Sequence, residues 1–127
     1  MENLQVVRYL SGQKFDIHTD HLNEFNDLPC RGRLATCLIY LNSNFTGGET
    51  SFPHFNADVT PKKGTAVFFW NTLETPGNTN NVKYDPYMYL NVDDRLQHAG
   101  LPVLDGVKWV CNRWIHPIPF GKNVRGW

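Results

Sequence analysis

Four side chains with metal-binding or charged groups stand out in this chain. His18 and Asp20 are separated by one residue, and His98 and Lys108 follow far downstream. Two histidines and one carboxylate are the ligand set of a mononuclear non-heme Fe(II) site with positions open for O2 and a co-substrate. On an extended segment, side chains two residues apart point the same way, so His18 and Asp20 can hold one metal ion. His98 is placed to complete the set from another strand, and Lys108 offers a positive charge to a carboxylate-bearing co-substrate.

Short strands separated by turns must position these side chains. Runs of apolar, aromatic and β-branched residues, bounded by Gly, Pro, Asn or Ser, predict strands. They span residues 4–10, 14–20, 33–41, 49–52, 65–70 and 106–116. Little helical periodicity lies between them, so the sequence predicts an all-β sandwich or barrel in one domain, residues 1–127.

Three further segments carry specific expectations. Residues 42–48 are predicted to be a turn-rich connection, and residues 75–81 a polar loop that could act as a lid. Residues 21–27 could form a helical turn. The apolar run 65–70 predicts a strand buried on both faces, with Phe68, Phe69 and Trp70 in the core.

The last predicted strand can be interpreted by the alternation of its side chains. Successive residues of a strand face opposite sides of a sheet. Lys108, Val110, Asn112, Trp114 and His116 therefore share one face. This face combines a cation, an aromatic wall and further polar groups, which are suited to line a pocket.

Composition excludes several function classes. Twelve Lys and Arg balance twelve Asp and Glu, so no basic stripe indicates nucleic-acid binding. No apolar run approaches the length of a membrane span and no signal-peptide pattern is present, so we expect a soluble chain. Cys30, Cys37 and Cys111 lack zinc-site spacing and are predicted to be reduced thiols. His21 and His54 are predicted not to bind metal.

These residues carry a resemblance to the catalytic domain of the prolyl 4-hydroxylases, which are Fe(II)/2-oxoglutarate dioxygenases. The resemblance covers roughly residues 4–117, with its motifs in the family's order. The matching stretches are YLSGQKF (9–15), HTD (18–20), RLAT (33–36), GGET (47–50), PKKG (61–64), HAG (98–100), KW (108–109) and WIH (114–116).

The resemblance implies a fold and a set of site residues. The implied fold is a double-stranded β-helix, a jelly-roll with few or no helices and the metal between its two sheets. It implies that His18, Asp20 and His98 hold Fe(II), and that Lys108 pairs with the distal carboxylate of 2-oxoglutarate. The residues implied near the co-substrate are Tyr9, Thr50 and Trp114, and those implied in the region of the peptide substrate are Arg33, His116 and Phe15.

The implied reaction is the hydroxylation of peptidyl proline to 4-hydroxyproline. It would consume 2-oxoglutarate and O2, release succinate and CO2, and use ascorbate (vitamin C) as a further cofactor. The partner would be a proline-containing peptide or protein. Two alternatives stay open: the same chemistry on another residue, such as lysyl, or on a free amino acid, and a catalytically silent jelly-roll that binds peptide or metal. The intact set of ligands with Lys108 argues against the silent module.

The chain departs from the family pattern in three places. Phe15 stands where members often have Tyr, so a hydroxyl near the site is missing. Leu101 stands where many have Cys, so we expect the usual disulfide there to be absent. The domains of the family also carry an N-terminal support segment of helices and strands, which we expect this chain to lack.

Overall fold

The computed structural model describes residues 1–21, 32–73 and 92–117. Within these ranges the chain forms ten strands and two short 3-10 helices, at Pro53–Phe55 and Asp94–Leu96, and no α-helix. The strands are β1 Gln5–Tyr9, β2 Phe15–His18, β3 Ala35–Tyr40, β4 Phe45–Gly47, β5 Thr50–Phe52, β6 Ala57–Val59, β7 Ala66–Trp70, β8 His98–Gly100, β9 Val103–Gly106 and β10 Lys108–Ile115. No helix in the described part of the chain is long and apolar enough to cross a membrane.

The strands form two four-stranded sheets and one two-stranded ribbon. One sheet has the order β1-β10-β3-β7, the other has the order β2-β8-β5-β6, and β4 pairs with β9. Every one of these pairings is antiparallel. The predicted all-β jelly-roll is therefore confirmed, and each of the six predicted strand segments contains a strand.

Side chains from the two sheets meet in a core that borders the site. Phe52 of β5 and Phe69 of β7 pack edge to face, with ring centroids 5.2 Å apart. Tyr40 of β3 is fully buried, and its hydroxyl lies 2.6 Å from the Thr50 hydroxyl of β5. A buried aromatic pair such as Phe52 and Phe69 stabilises the folded protein by about 0.5–1.5 kcal/mol beyond the contribution of its buried area. These contacts hold the sheets together beside the strands that carry the candidate ligands.

The prediction that residues 65–70 are buried on both faces is wrong. β7 lies at the edge of its sheet, and its side chains alternate. Phe69 is only 7% exposed, but Phe68 is 51% exposed and Trp70 is 56% exposed. A continuous apolar run is typical of a strand covered on both sides, yet an antiparallel edge strand can present the same composition with one face outward.

The predicted turn-rich connection 42–48 contains a strand as well. β4 pairs with β9, of which only Gly106 falls within a predicted strand. The two strands have only three and four residues and are almost sixty residues apart in sequence, so their pairing has no local signature. Cys37 and Cys111 are free thiols, as predicted. The predicted lid at 75–81, most of the predicted helical turn at 21–27, and Cys30 lie outside the described residues.

Candidate metal centre and co-substrate cavity

Two paired strands bring the three candidate ligands together. His18 ends β2, His98 begins β8, and the two residues face each other in the antiparallel register. Asp20 follows β2 by two residues, on the same side as His18. The nearest ligand atoms of the three side chains lie within 4.8 Å of one another. The Oδ1 atom of Asp20 lies 3.2 Å from His18 Nε2 and 3.5 Å from His98 Nε2.

Each histidine ring is oriented by a backbone carbonyl two residues earlier in the chain. His18 Nδ1 lies 2.7 Å from the carbonyl oxygen of Asp16, and His98 Nδ1 lies 2.9 Å from that of Leu96. A carbonyl oxygen can only accept, so each Nδ1 carries a hydrogen, and Nε2 is the ring nitrogen that can give up its proton and offer a lone pair to a metal ion. Both Nε2 atoms face the aspartate oxygen, and this donor set fits a divalent metal such as Fe(II).

The second oxygen of Asp20 is occupied by hydrogen bonds. Thr36 Oγ1 donates to Asp20 Oδ2 at 2.7 Å, and the Trp114 indole Nε1 donates to the same atom at 3.1 Å. Asn71 Nδ2 donates in turn to Thr36 Oγ1 at 2.9 Å, which fixes the threonine hydroxyl. Oδ1 is thus the oxygen directed at the histidines, so Asp20 can offer one atom to a metal.

Asp20 is ionised despite its burial. Burial alone would raise the pKa of this carboxyl, but hydrogen bonds with His18, His98 and Thr36 hold the pKa well below its usual range. The carboxylate therefore provides the negative charge that a divalent ion requires.

We expect Trp114→Phe to weaken metal binding about tenfold, since supporting contacts to metal ligands typically contribute 10–100-fold in affinity. The substitution removes the indole N–H that holds Asp20 Oδ2. It keeps an aromatic ring beneath Arg33, whose guanidinium carbon lies 3.7 Å from the Trp114 ring centroid. Titration of Mn(II) followed by electron paramagnetic resonance measures the effect. Trp109→Phe is the matched control, because Trp109 lies on the opposite face of β10; equal affinities in the two variants would contradict the prediction.

Glu2 is an important residue that the sequence did not reveal. Arg33 donates to its carboxylate through Nε at 2.7 Å and Nη2 at 3.0 Å, and His116 Nε2 lies 2.8 Å from the same group. The Glu2 backbone N–H also donates to the Trp114 carbonyl at 3.1 Å. All these side chains are buried. Arg33 and His116, predicted in the region of the peptide substrate, therefore belong to a cluster that also supports Trp114.

Lys108 lies at the opposite end of the site, at the start of β10. It is only 3% exposed, and its Nζ donates to the Gly48 carbonyl oxygen at 2.6 Å. The rings of Tyr9 and Tyr40 flank the ammonium, with centroids 5.3 Å and 5.7 Å from Nζ. Burial lowers the pKa of Lys108 to about 8, although the carboxylate of Glu49 opposes this shift. The lysine is thus charged at neutral pH in a largely apolar setting.

One cavity of about 470 Å³ connects the metal ligands with Lys108. The side chains of β10 alternate as expected, since Lys108, Val110, Asn112 and Trp114 all line it. The other sequence-predicted residues that line it are Tyr9, Thr50, Arg33 and Phe15. The Phe15 ring lies 4.2 Å from the His18 ring and is half exposed. His116 lies beyond this wall in the contact with Glu2, while His21 and His54 are not in the ligand cluster.

A known protein family matches the sequence that forms this arrangement. The model of the 2OG-Fe(II) oxygenase superfamily matches residues 4–116, nearly the whole chain. The chain belongs to the 2OG-Fe(II) oxygenase superfamily. The match includes His18, Asp20, His98 and Lys108, the residues that converge on the cavity.

Relatives of this oxygenase domain include animal prolyl 4-hydroxylases. The chain is 37% identical over 120 residues to prolyl 4-hydroxylase subunit alpha-1 of Bos taurus, covering 91% of this chain and 20% of that protein. The Gallus gallus protein of the same name gives the same figures. The chain thus spans about a fifth of the length of these curated relatives. The resemblance to prolyl 4-hydroxylases that the motifs predicted is confirmed.

A solved relative shares the architecture. The viral collagen prolyl hydroxylase from Paramecium Bursaria Chlorella virus-1, solved as a 2OG complex, superposes with a TM-score of 0.74 at 34% identity. The match covers 93% of this chain and 60% of that one. A Pseudomonas putida prolyl-4-hydroxylase has the same fold, with a TM-score of 0.56 at 20% identity.

Proposed function

We propose that this oxygenase domain hydroxylates peptidyl proline at C4, using Fe(II), O2 and 2-oxoglutarate. The observation that carries the proposal is the meeting of His18, Asp20, His98 and Lys108 in one cavity. The cavity thus offers three metal ligands at one place and a buried cation at another. Relatives named prolyl 4-hydroxylase support the choice of substrate.

The metal half of the site would be held by His18 Nε2, Asp20 Oδ1 and His98 Nε2. Bound Fe(II) supplies the activation of O2, which couples decarboxylation of 2-oxoglutarate to hydroxylation of the substrate. The protein contributes orientation. The two carbonyl-bound Nδ1 atoms fix the imidazole rings, and Thr36 and Trp114 fix the carboxylate. Ascorbate would serve as the reductant that keeps the iron in the Fe(II) state.

The co-substrate half of the site would be held by Lys108. A buried ammonium is unfavourable unless it is paired, and the far carboxylate of 2-oxoglutarate would provide a charge-assisted partner. Tyr9 and Thr50 line the cavity near this end and would border the dicarboxylate chain. The burial of Lys108 would keep water from this pair and so strengthen it.

The proline-containing peptide would enter at the other end of the cavity. Phe15 contacts His18, and Arg33 and Trp114 contact Asp20, so these three side chains line the cavity around the metal ligands. Phe15 is 49% exposed and offers an apolar surface to a pyrrolidine ring. Arg33 would face the peptide from its cluster with Glu2, and His116 would support that cluster from behind the cavity wall.

Mass spectrometry of a peptide product tests the proposal. A poly-proline or collagen-like peptide would be incubated with the iron-loaded protein, ascorbate and 2-oxoglutarate. The expected result is the gain of one oxygen atom on proline, with an equal amount of succinate. Lys108→Ala should show no such gain of oxygen. Succinate without oxygen on proline would indicate another substrate, such as a lysyl residue. A folded, iron-loaded protein that forms neither product would overturn the proposal.

Binding of 2-oxoglutarate is expected to weaken above about pH 8. Burial lowers the pKa of Lys108 to about 8 against the opposing effect of Glu49, so the ammonium loses its proton above that pH. The co-substrate carboxylates are already ionised, and the dissociation constant should therefore rise about tenfold per pH unit beyond this point. Calorimetric titration of the Mn(II)-loaded protein measures it. Lys108→Ala should show no such rise, and a constant affinity across this range in the wild type would contradict the assignment.

A further inference from the structure

The turn between β4 and β5 presents a backbone carbonyl to the buried lysine. Gly47 and Gly48 both adopt left-handed φ angles, +72° and +71°. The Gly48 N–H donates to the Pro102 carbonyl oxygen at 2.9 Å, which anchors the turn to the segment before β9. The Gly48 carbonyl oxygen then accepts the hydrogen bond from Lys108 Nζ at 2.6 Å.

Gly48 also leaves room for the stem of the lysine. A Cβ atom at this position would lie 3.0 Å from Lys108 Cδ, 3.2 Å from Phe45 Cε2 and 3.3 Å from Val103 Cγ2. These distances are shorter than ordinary van der Waals contacts, and Val103 is itself buried. A side chain at position 48 would therefore press on the lysine stem in a packed wall that cannot easily yield.

The carbonyl satisfies one donor of the ammonium without cancelling its charge. A carboxylate in the same place would neutralise Lys108 and compete with an incoming anion. Among the described ion pairs none joins Lys108 to a carboxylate, and Glu49 acts on it only through the longer-range electrostatic field. An ammonium has three N–H donors, so two stay available for the oxygens of a ligand.

We propose that Gly48 is a positioning residue for the co-substrate. Its carbonyl fixes the Lys108 ammonium at the end of the cavity, and its lack of a side chain lets the lysine stem lie against the turn. This inference rests on the proposed function, in which Lys108 binds the far carboxylate of 2-oxoglutarate. It predicts that position 48 controls the affinity for this dicarboxylate and leaves the metal site untouched.

Equilibrium binding to Gly48→Ala tests the inference, with Gly64→Ala as the matched control. Gly64 has a similar left-handed φ of +82°, but an added Cβ there would meet nothing within 4 Å. Both variants place an alanine in the left-handed region, and only Gly48→Ala puts a Cβ against the lysine. Calorimetry of the Mn(II)-loaded proteins should show 2-oxoglutarate binding weakened by about tenfold or more in Gly48→Ala, because the displaced ammonium would lose its alignment with the co-substrate carboxylate, and a hydrogen bond to a charged group contributes about this much. The affinity for Mn(II) should stay unchanged in both variants, and Gly64→Ala should bind 2-oxoglutarate as the wild type does.

Each alternative outcome has a distinct meaning. Equal affinities for 2-oxoglutarate in Gly48→Ala and Gly64→Ala would overturn the inference and leave the proposed function standing. A wild-type protein that binds Mn(II) but no 2-oxoglutarate would overturn both. If Gly48→Ala does not fold, Gly48→Asn replaces it, because asparagine tolerates the left-handed region while still placing a Cβ against Lys108. Unchanged co-substrate binding in Gly48→Asn would likewise overturn the inference.

Discussion

Asp20→Ala is expected to abolish turnover, with a loss of roughly three orders of magnitude or more in kcat/KM, the scale seen when a central catalytic group is removed. The substitution deletes Oδ1, the atom that lies 3.2 Å and 3.5 Å from the two histidine Nε2 atoms. It also removes the acceptor of the Thr36 and Trp114 donors, which are then left unpaired in a buried setting. Succinate release and the iron content of the purified protein measure the effect.

The neighbouring aspartate provides the control for this experiment. The Asp16 side chain is exposed and pairs with Lys14 at 2.8 Å on the surface, so Asp16→Ala should leave metal binding and turnover unchanged. Only the backbone carbonyl of Asp16 contacts His18, and the substitution retains it. Wild-type turnover by Asp20→Ala at normal iron content would refute the ligand assignment.

Lys108→Ala is expected to raise the KM for 2-oxoglutarate by roughly 100-fold, because removing one partner of a buried charge pair costs about 2–5 kcal/mol. In this variant the far carboxylate of the co-substrate would enter the cavity without forming an ion pair. The metal ligands lie elsewhere in the cavity, so iron binding should persist. Steady-state kinetics with 2-oxoglutarate as the varied substrate measures the change.

A surface lysine separates this effect from a general loss of positive charge. Lys63 lies in an exposed turn, and Lys63→Ala removes the same functional group without touching the cavity. Its KM for 2-oxoglutarate should equal that of the wild type. A similar rise in both variants, or none in Lys108→Ala, would show that Lys108 does not bind the co-substrate.

Features that depend on local spacing could be predicted from the sequence. The H-x-D pair places two ligands on one side of a strand end whatever the rest of the chain does, and the structure has them there. The alternation along residues 108–114 follows from strand geometry, and it correctly gives the wall of the cavity. Runs of β-branched and aromatic residues between turns likewise indicate most of the strands.

Features that depend on contacts between distant residues could not be predicted in this way. Glu2 meets His116 across almost the whole chain, and Asn71 reaches Thr36 from the residue that follows β7, the neighbouring strand of the sheet. Neither pair has a periodic pattern or a motif. The outward position of Phe68 was missed for a related reason: apolar content does not reveal whether a strand lies at the edge or in the middle of a sheet.

The carbonyl oxygens that hold the two imidazole Nδ1 atoms have a consequence for how the protein takes up metal. Each oxygen lies only two residues before its histidine, so the local backbone sets the ring direction and holds the hydrogen on Nδ1. Metal capture then requires little conformational ordering, and the entropic penalty of binding is small. This preorganised donor set is chemically acceptable to several divalent ions, so the supply of metal in the surroundings contributes to which ion the protein acquires.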